Sequence, residues 1–312
     1  MDLLFYLLIF LLVLIVSSTT NKLLPFLPMP LIQILLGIGI GLCLPNNQYH
    51  LDTELFLALV IGPLLFREAQ EADITSILKH WRIVLYLIFP VIFISALSMG
   101  GVAHVLWASL PLAACVAVGA ALGPTDLVAF ASLSQRFSFP KRVSNILKGE
   151  GLLNDASGLV AFRMALIAWT TGTFSLTQAG NSLAISIVGG FAVGFITAFI
   201  NRSLHSFLLS VRATDIASEL LLDLSLPLLT FFIAEEIHVS GIIAVVVAGI
   251  LKASRFKKIN LLEAQVDTVT ETVWHTVTFM LNGSVFVILG MELEMIAEPI
   301  LKNAFYNNVL LL

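Results

Sequence analysis

An all-α polytopic membrane protein is the fold class this sequence predicts, and three observations carry the prediction. Of 312 residues, 58% are hydrophobic and 12% charged, with a mean hydropathy of +1.00. That is too apolar and too poor in charge for a soluble chain. Apolar runs of membrane-spanning length recur from end to end, and the basic residues gather in every second connection between them.

With ~20 apolar residues per span, the segments fall near 2–18, 26–44, 54–66, 83–100, 105–133, 146–170, 182–201, 216–234, 240–251 and 268–291, and an eleventh starts at 304–312. The whole chain, 1–312, reads as one transmembrane domain. Met1-Asp2 opens directly into an apolar run with no Lys or Arg before it, so the first segment is a membrane helix rather than a cleaved leader. Pro25, Pro28, Pro30, Pro63 and Pro90 punctuate the second to fourth segments as kinks satisfied by neighbouring helices. Cys43 and Cys115 sit inside apolar runs as small core side chains, so no redox chemistry is implied.

Lys and Arg are retained on the cytoplasmic side of a membrane. Lys22, Arg67, Lys79, Arg82, Arg136, Lys141, Arg142, Lys148, Arg202, Arg212, Lys252, Arg255, Lys257 and Lys258 all follow odd-numbered segments. The odd connections are therefore cytoplasmic and the N-terminus lies outside. No basic surface is left over for nucleic acid.

Two stretches break the apolar pattern with chemistry. In Lys148-Gly149-Glu150-Gly151-Leu152-Leu153-Asn154-Asp155-Ala156-Ser157-Gly158, a period of 3.6 sets Glu150, Gly151, Asn154, Asp155 and Gly158 on one face. An ionised carboxylate in mid-bilayer costs about 2.5–3.5 kcal/mol on the lenient insertion scale, so Asp155 calls for a function. In the fifth segment, Gly123 permits unusual dihedrals, Pro124 removes a backbone donor, and Thr125 and Asp126 suit the cap of a restarted helix. A helix broken within the membrane offers carbonyls and helix ends to an ion. Counting ~1.5 Å per residue from the segment ends, Asp126 and Asp155 sit about 10 and 13 Å from the cytoplasmic side, placed to face one another.

Monovalent cations such as sodium are held by oxygen, and these acids, the Thr125 hydroxyl and freed carbonyls supply it. A carboxyl group taken out of water favours its protonated form, and a bound sodium ion the ionised one. One carboxylate that accepts either gives exchange by competition. The blander readings are that Asp126 only caps a broken helix and that Asp155 only bonds a neighbour.

Gly123-Pro124-Thr125-Asp126, Glu150-Gly151-Leu152-Leu153-Asn154-Asp155, Val239-Ser240-Gly241-Ile242-Ile243-Ala244-Val245 and Phe279-Met280-Leu281-Asn282-Gly283 resemble the bacterial monovalent cation/proton antiporters of the electroneutral sodium/proton exchanger family. The resemblance implies thirteen helices with inverted repeats and crossing interrupted helices, and a homodimer in the bacterial inner membrane whose core domain moves as an elevator. It implies exchange of Na+, K+ or Li+ for H+ with no cofactor. The cation would lie among Asp155, Asn154, Thr125 and Asp126, supported by Glu150, Gly123 and Pro124, and Asp155 would carry the proton. Asn154-Asp155, in place of the Asp-Asp pair of electrogenic relatives, implies one sodium for one proton. Gly151 stands where the family usually has Ser, and Leu127 where it often has Pro. Against that pattern the chain is expected to be truncated, lacking the second broken helix and the Arg that pairs with Glu150. Glu150 would then be buried without its partner, and the chain as written could be a non-transporting fragment. An intramembrane aspartyl protease, the enzyme alternative, needs Tyr-Asp and Gly-x-Gly-Asp, and neither surrounds Asp126 or Asp155.

The remaining polar residues have plainer readings. Arg163 snorkels to the outer interface. Glu235, Glu236 and His238 belong to a solvated outer loop, and Ser240-Gly241 starts a helix. Asp267, Thr268, Glu271 and His275 form an amphipathic cytoplasmic entrance outside the core site. The charge alternation predicts that a cysteine placed in 171–181 reacts with an impermeant reagent added outside, whereas one in 252–260 does not; the opposite labelling would reverse the topology.

Overall fold

The computed structural model describes residues 2–43, 52–72, 74–125, 130, 137–172, 176–211, 215–253 and 261–309. Every regular element among them is helical. They are α1 (Asp2–Leu23), α2 (Met29–Cys43), α3 (Thr53–Phe56), α4 (Gly62–Glu71), α5 (Ile74–Lys79), α6 (Trp81–Tyr86), α7 (Ile92–Leu106), α8 (Leu112–Leu122), α9 (Lys141–Thr171), α10 (Leu176–Ser210), α11 (Ile216–Glu236), α12 (Gly241–Ala253) and α13 (Leu261–Val309). The chain divides into two compact units, Met1–Ile61 with Thr272–Leu312, and Gly62–Glu271.

In the first unit α2 crosses α13 where both lack side chains. A Cβ on Gly37 would stand 2.2 Å from the Val287 carbonyl oxygen, and one on Gly290 2.2 Å from that of Ile34. Buried Gln33 donates from Nε2 to the Oγ of buried Ser17 at 3.5 Å, tying α2 to α1. Small residues and short polar links of this kind replace the hydrophobic drive that helices lack in lipid.

The second unit carries the polar stretch. α6 passes through a π-helical turn, Leu87–Val91, into α7. Pro90 lies in that turn; a proline lacks one donor and pushes on the carbonyl four residues back, and a widened turn makes the room. α7 and α8 form a hairpin closed by His104, whose Nδ1 donates to the Leu110 carbonyl at 2.9 Å. Ala96 and Val116 meet glycines across it, a Cβ on Gly119 falling 2.3 Å from the Ala96 oxygen. α10 lies as closely on α12, where a Cβ on Gly194 would meet the Ala244 oxygen at 2.2 Å. Ser240 caps α12 as expected, its Oγ accepting from the Ile243 N–H at 3.2 Å.

The helix limits differ from the apolar segments. The fifth segment begins at Leu112, after Pro111, and not near 105. The sixth begins at Lys141, after Pro140, and not near 146. Asp155 thus stands fourteen residues along α9, ~21 Å at ~1.5 Å per residue. α13 continues to Val309, so residues 304–309 extend the tenth helix and do not open a separate one. In the sixth and tenth segments charged and polar residues prolong the helix beyond the apolar run, whereas Pro111 delays the start of the fifth.

Candidate cation site at a helix break

α8 ends at Leu122 with Gly123 as its C-cap, and Pro124 and Thr125 leave the helical path. The last carbonyls of α8 and that of Thr125 are released from intrahelical bonding. α9 runs alongside and buries Glu150, Gly151, Asn154, Ser157 and Gly158. The approach depends on Gly158: a Cβ there would fall 2.3 Å from Cγ of the Pro124 ring, which has no flexible end to move aside.

The break is sewn to α9 by three hydrogen bonds, and a fourth within α9 joins their partners. The Thr125 hydroxyl donates to Glu150 Oε2 at 2.7 Å. Asn154 Nδ2 donates to Glu150 Oε1 at 2.7 Å, to Thr125 Oγ1 at 2.8 Å and to the Thr125 carbonyl at 3.2 Å. Thr125 has a single hydroxyl proton, spent on Glu150, so it must accept from Asn154. The carbonyl contact then fixes which way the amide points, because only an N–H can face it. Asn154 Oδ1 consequently looks the other way. It is buried in a side chain with no exposed area, and no donor reaches it among the described residues. An acceptor in that condition costs the protein about 1–3 kcal/mol unless a proton donor or a cation meets it.

The structure therefore brings together Gly123, Pro124, Thr125, Glu150 and Asn154. Asp126 lies outside the described residues, as does the side chain of Asp155, whose backbone follows Asn154 in α9. Glu150 is buried, and both of its oxygens accept from neutral donors, the Thr125 hydroxyl and the Asn154 amide. Ser157 was not singled out; its Oγ donates to the Asn154 carbonyl at 2.8 Å. Glu235 corrects an expectation, since its Oε1 accepts from the Gly241 N–H at 3.1 Å and it serves the start of α12, while Glu236 and His238 are exposed. Arg163, Glu271 and His275 are exposed. The sequence reading also passed over Asp223, a buried acid paired with Lys252, and Glu219, bonded to His205 at 2.5 Å. Asp223 was findable by the rule applied to Asp155, an acid inside an apolar segment.

The class that this fold and site define is a polytopic helical membrane protein with a buried, oxygen-rich centre at a helix break. The family model described as the sodium/hydrogen exchanger, transmembrane, matches residues 7–311. A sodium, potassium, lithium and rubidium/H+ antiporter of Bacillus pumilus is 36% identical over 94% of this chain and 44% of its own length. A protein of the same description from Bacillus subtilis is 35% identical over 99% of this chain and 46% of its own. The chain thus spans about half the length of these curated relatives. The sodium proton antiporter of Methanocaldococcus jannaschii shares the fold, with a TM-score of 0.69 at 19% identity over 93% of this chain and 71% of that structure. The chain belongs to the sodium/hydrogen exchanger family, and its fold is that of an all-α polytopic antiporter.

The hydroxyl of Thr125 is the hinge of the network, and its removal is the sharpest local test. Thr125→Val removes the donor to Glu150 Oε2 and leaves Asn154 Nδ2 only the main-chain carbonyl of residue 125 on that side, and should cost about 1–3 kcal/mol in thermal unfolding of the purified protein. Thr125→Ser should restore most of it; equal stability of the Val variant would show that the bonds hold nothing.

Proposed function

We propose that this protein is a secondary antiporter that exchanges a monovalent cation for a proton, one for one, by competition at Asp155. The observation that carries the reading is Asn154 Oδ1, a buried acceptor that no donor reaches among the described residues, one residue before that acid. Thr125 and Glu150 occupy the donors of the Asn154 amide, which turns its oxygen outward from the network. Oxygen ligands suit alkali cations, and the named relatives in Bacillus handle sodium, potassium, lithium and rubidium. Asp126 and Thr125 complete the ligand set in this reading, and Glu150, Gly123 and Pro124 support it.

The proton and the cation use the same carboxylate at different times. Bound cation excludes the proton, bound proton excludes the cation, and either neutralises Asp155 for movement through the apolar interior. With Asn rather than Asp at position 154, one charge is carried each way and the cycle moves no net charge. The protein works as a homodimer in the bacterial inner membrane, N-terminus outside, with the α8–α9 site moving against a fixed scaffold.

Asp155→Asn keeps the shape and hydrogen-bonding reach of the side chain but cannot trade a proton for a cation. In proteoliposomes the variant should insert normally and lose sodium-driven pH change. The unmutated protein should exchange at a rate unaffected by a potassium-valinomycin potential. Retained exchange in the variant, or a voltage-dependent rate in the parent, would overturn the single-carboxylate cycle.

A further inference from the structure

α5 and α6 both pack on α9, and α5 rests on its third turn, where a Cβ on Gly149 would stand 3.0 Å from the Ile77 side chain. This seat brings Lys79 and Arg82 to the same end of the unit as Lys141, Arg142 and Lys148. All five are exposed, and none forms an ion pair among the described residues. No acid occurs in α5, in α6 or in 141–148. The nearest described acids in the sequence are engaged, Glu71 with Arg67 at 2.7 Å and buried Glu150 with Thr125 and Asn154; Asp73 lies outside the described residues.

Trp81 gives the depth of this surface. It is 51% exposed and carries the Arg82 guanidinium over its ring, 5.6 Å from the centroid. The helix that starts there runs through the π-helical turn and α7 to Trp107, which caps it and is 58% exposed. At ~1.5 Å per residue the two tryptophans are ~39 Å apart along the axis, and a bilayer with its headgroups is ~40–45 Å thick. Exposed tryptophans sit at the headgroup level, so each marks one face of the membrane. Below Trp81, Ile83, Leu85 and Tyr86 are exposed toward the hydrocarbon.

We propose that α5, α6 and the start of α9 form one binding surface for an anionic phospholipid, its headgroup among the five cations and its acyl chains along the apolar face below Trp81. The planar fork of Arg82 suits two phosphate oxygens at once, and the lysines add point charges around it. A zwitterionic lipid brings its own ammonium into the same cluster and gains less, so the surface selects for net negative charge. The lipid would meet the helix that carries Glu150 and Asn154, but its binding does not depend on the exchange proposed for that helix.

Brominated acyl chains quench indole fluorescence on contact, which makes Trp81 the reporter. Full-length protein, shown to be folded by size exclusion, is placed in phosphatidylcholine vesicles with a minor fraction of brominated phosphatidylglycerol or, separately, of brominated phosphatidylcholine. The Trp81 part of the signal is the difference between the unmutated protein and Trp81→Phe. Phosphatidylglycerol should quench it about threefold or more as effectively as phosphatidylcholine at equal fraction. Lys79→Gln with Arg82→Gln should abolish the preference, and so should Arg142→Gln with Lys148→Gln, although that pair lies on the other element. Lys79→Arg with Arg82→Lys should keep it, as should Arg202→Gln, which removes an exposed cation of α10. If one neutralised pair fails to fold, the other is read alone against the charge-preserving pair. Equal quenching by the two lipids in the unmutated protein overturns the proposal. So does a preference that survives neutralisation of either pair, or one that Arg202→Gln also abolishes. A preference removed by inorganic phosphate, and not by chloride at equal ionic strength, assigns the surface to free phosphate and overturns it too.

Discussion

Glu150 is held on both oxygens, by the Thr125 hydroxyl and the Asn154 amide, and the rest of the site depends on this pair of hydrogen bonds. The Asn154 bond lies within α9, and the Thr125 bond forms because the chain leaves the helical path after Gly123, bringing Thr125 across to α9 with a carbonyl and a hydroxyl to offer. Gly158 allows that approach by leaving room for the Pro124 ring. A side chain at 158 would press on the Pro124 ring, and a backbone donor at 124 would remove one obstacle to the helix running on past Gly123, whose own dihedrals are helical.

Two buried acids, Glu150 and Asp223, and the half-buried Glu219 are answered in three different ways. Glu150 accepts from neutral donors, Glu219 meets the imidazole of His205, and Asp223 meets the ammonium of Lys252. An acid inside a membrane must be matched, and the kind of match decides whether it can still exchange its partner. A tethered ammonium stays; a proton or an alkali ion leaves. The Asn154 oxygen, which no donor reaches among the described residues, stands apart from these pairs.

Much of this was legible in the sequence because the physics is local. Pro124 cannot donate and so marks the break; Glu150 and Asn154 are four apart and so share a face; Ser240 suits a helix start and caps α12. Hydropathy reports where lipid can be, and not where the helix ends, which is why Lys141–Ser144 and residues 292–303 read as connections, and 304–312 as a new segment, although Lys141–Ser144 lie in α9 and 292–309 in α13. The pairing of Asp223 with Lys252 was out of reach because the two residues come from different helices, and only packing of α11 on α12 brings them together. The bond from Thr125 to Glu150 was hidden for the same reason, since Thr125 reaches it only once α8 has packed against α9.

Competition between proton and cation for one carboxylate is the central claim, and its most direct measurement is the sodium dependence of exchange at a series of pH values. A shared site predicts that the KM for sodium rises as pH falls, approaching a tenfold rise per pH unit where the proton dominates, while the maximal rate at saturating sodium stays constant. A maximal rate that falls with pH at constant KM would mean that proton and cation bind at separate places, and the account built on Asp155 would be contradicted.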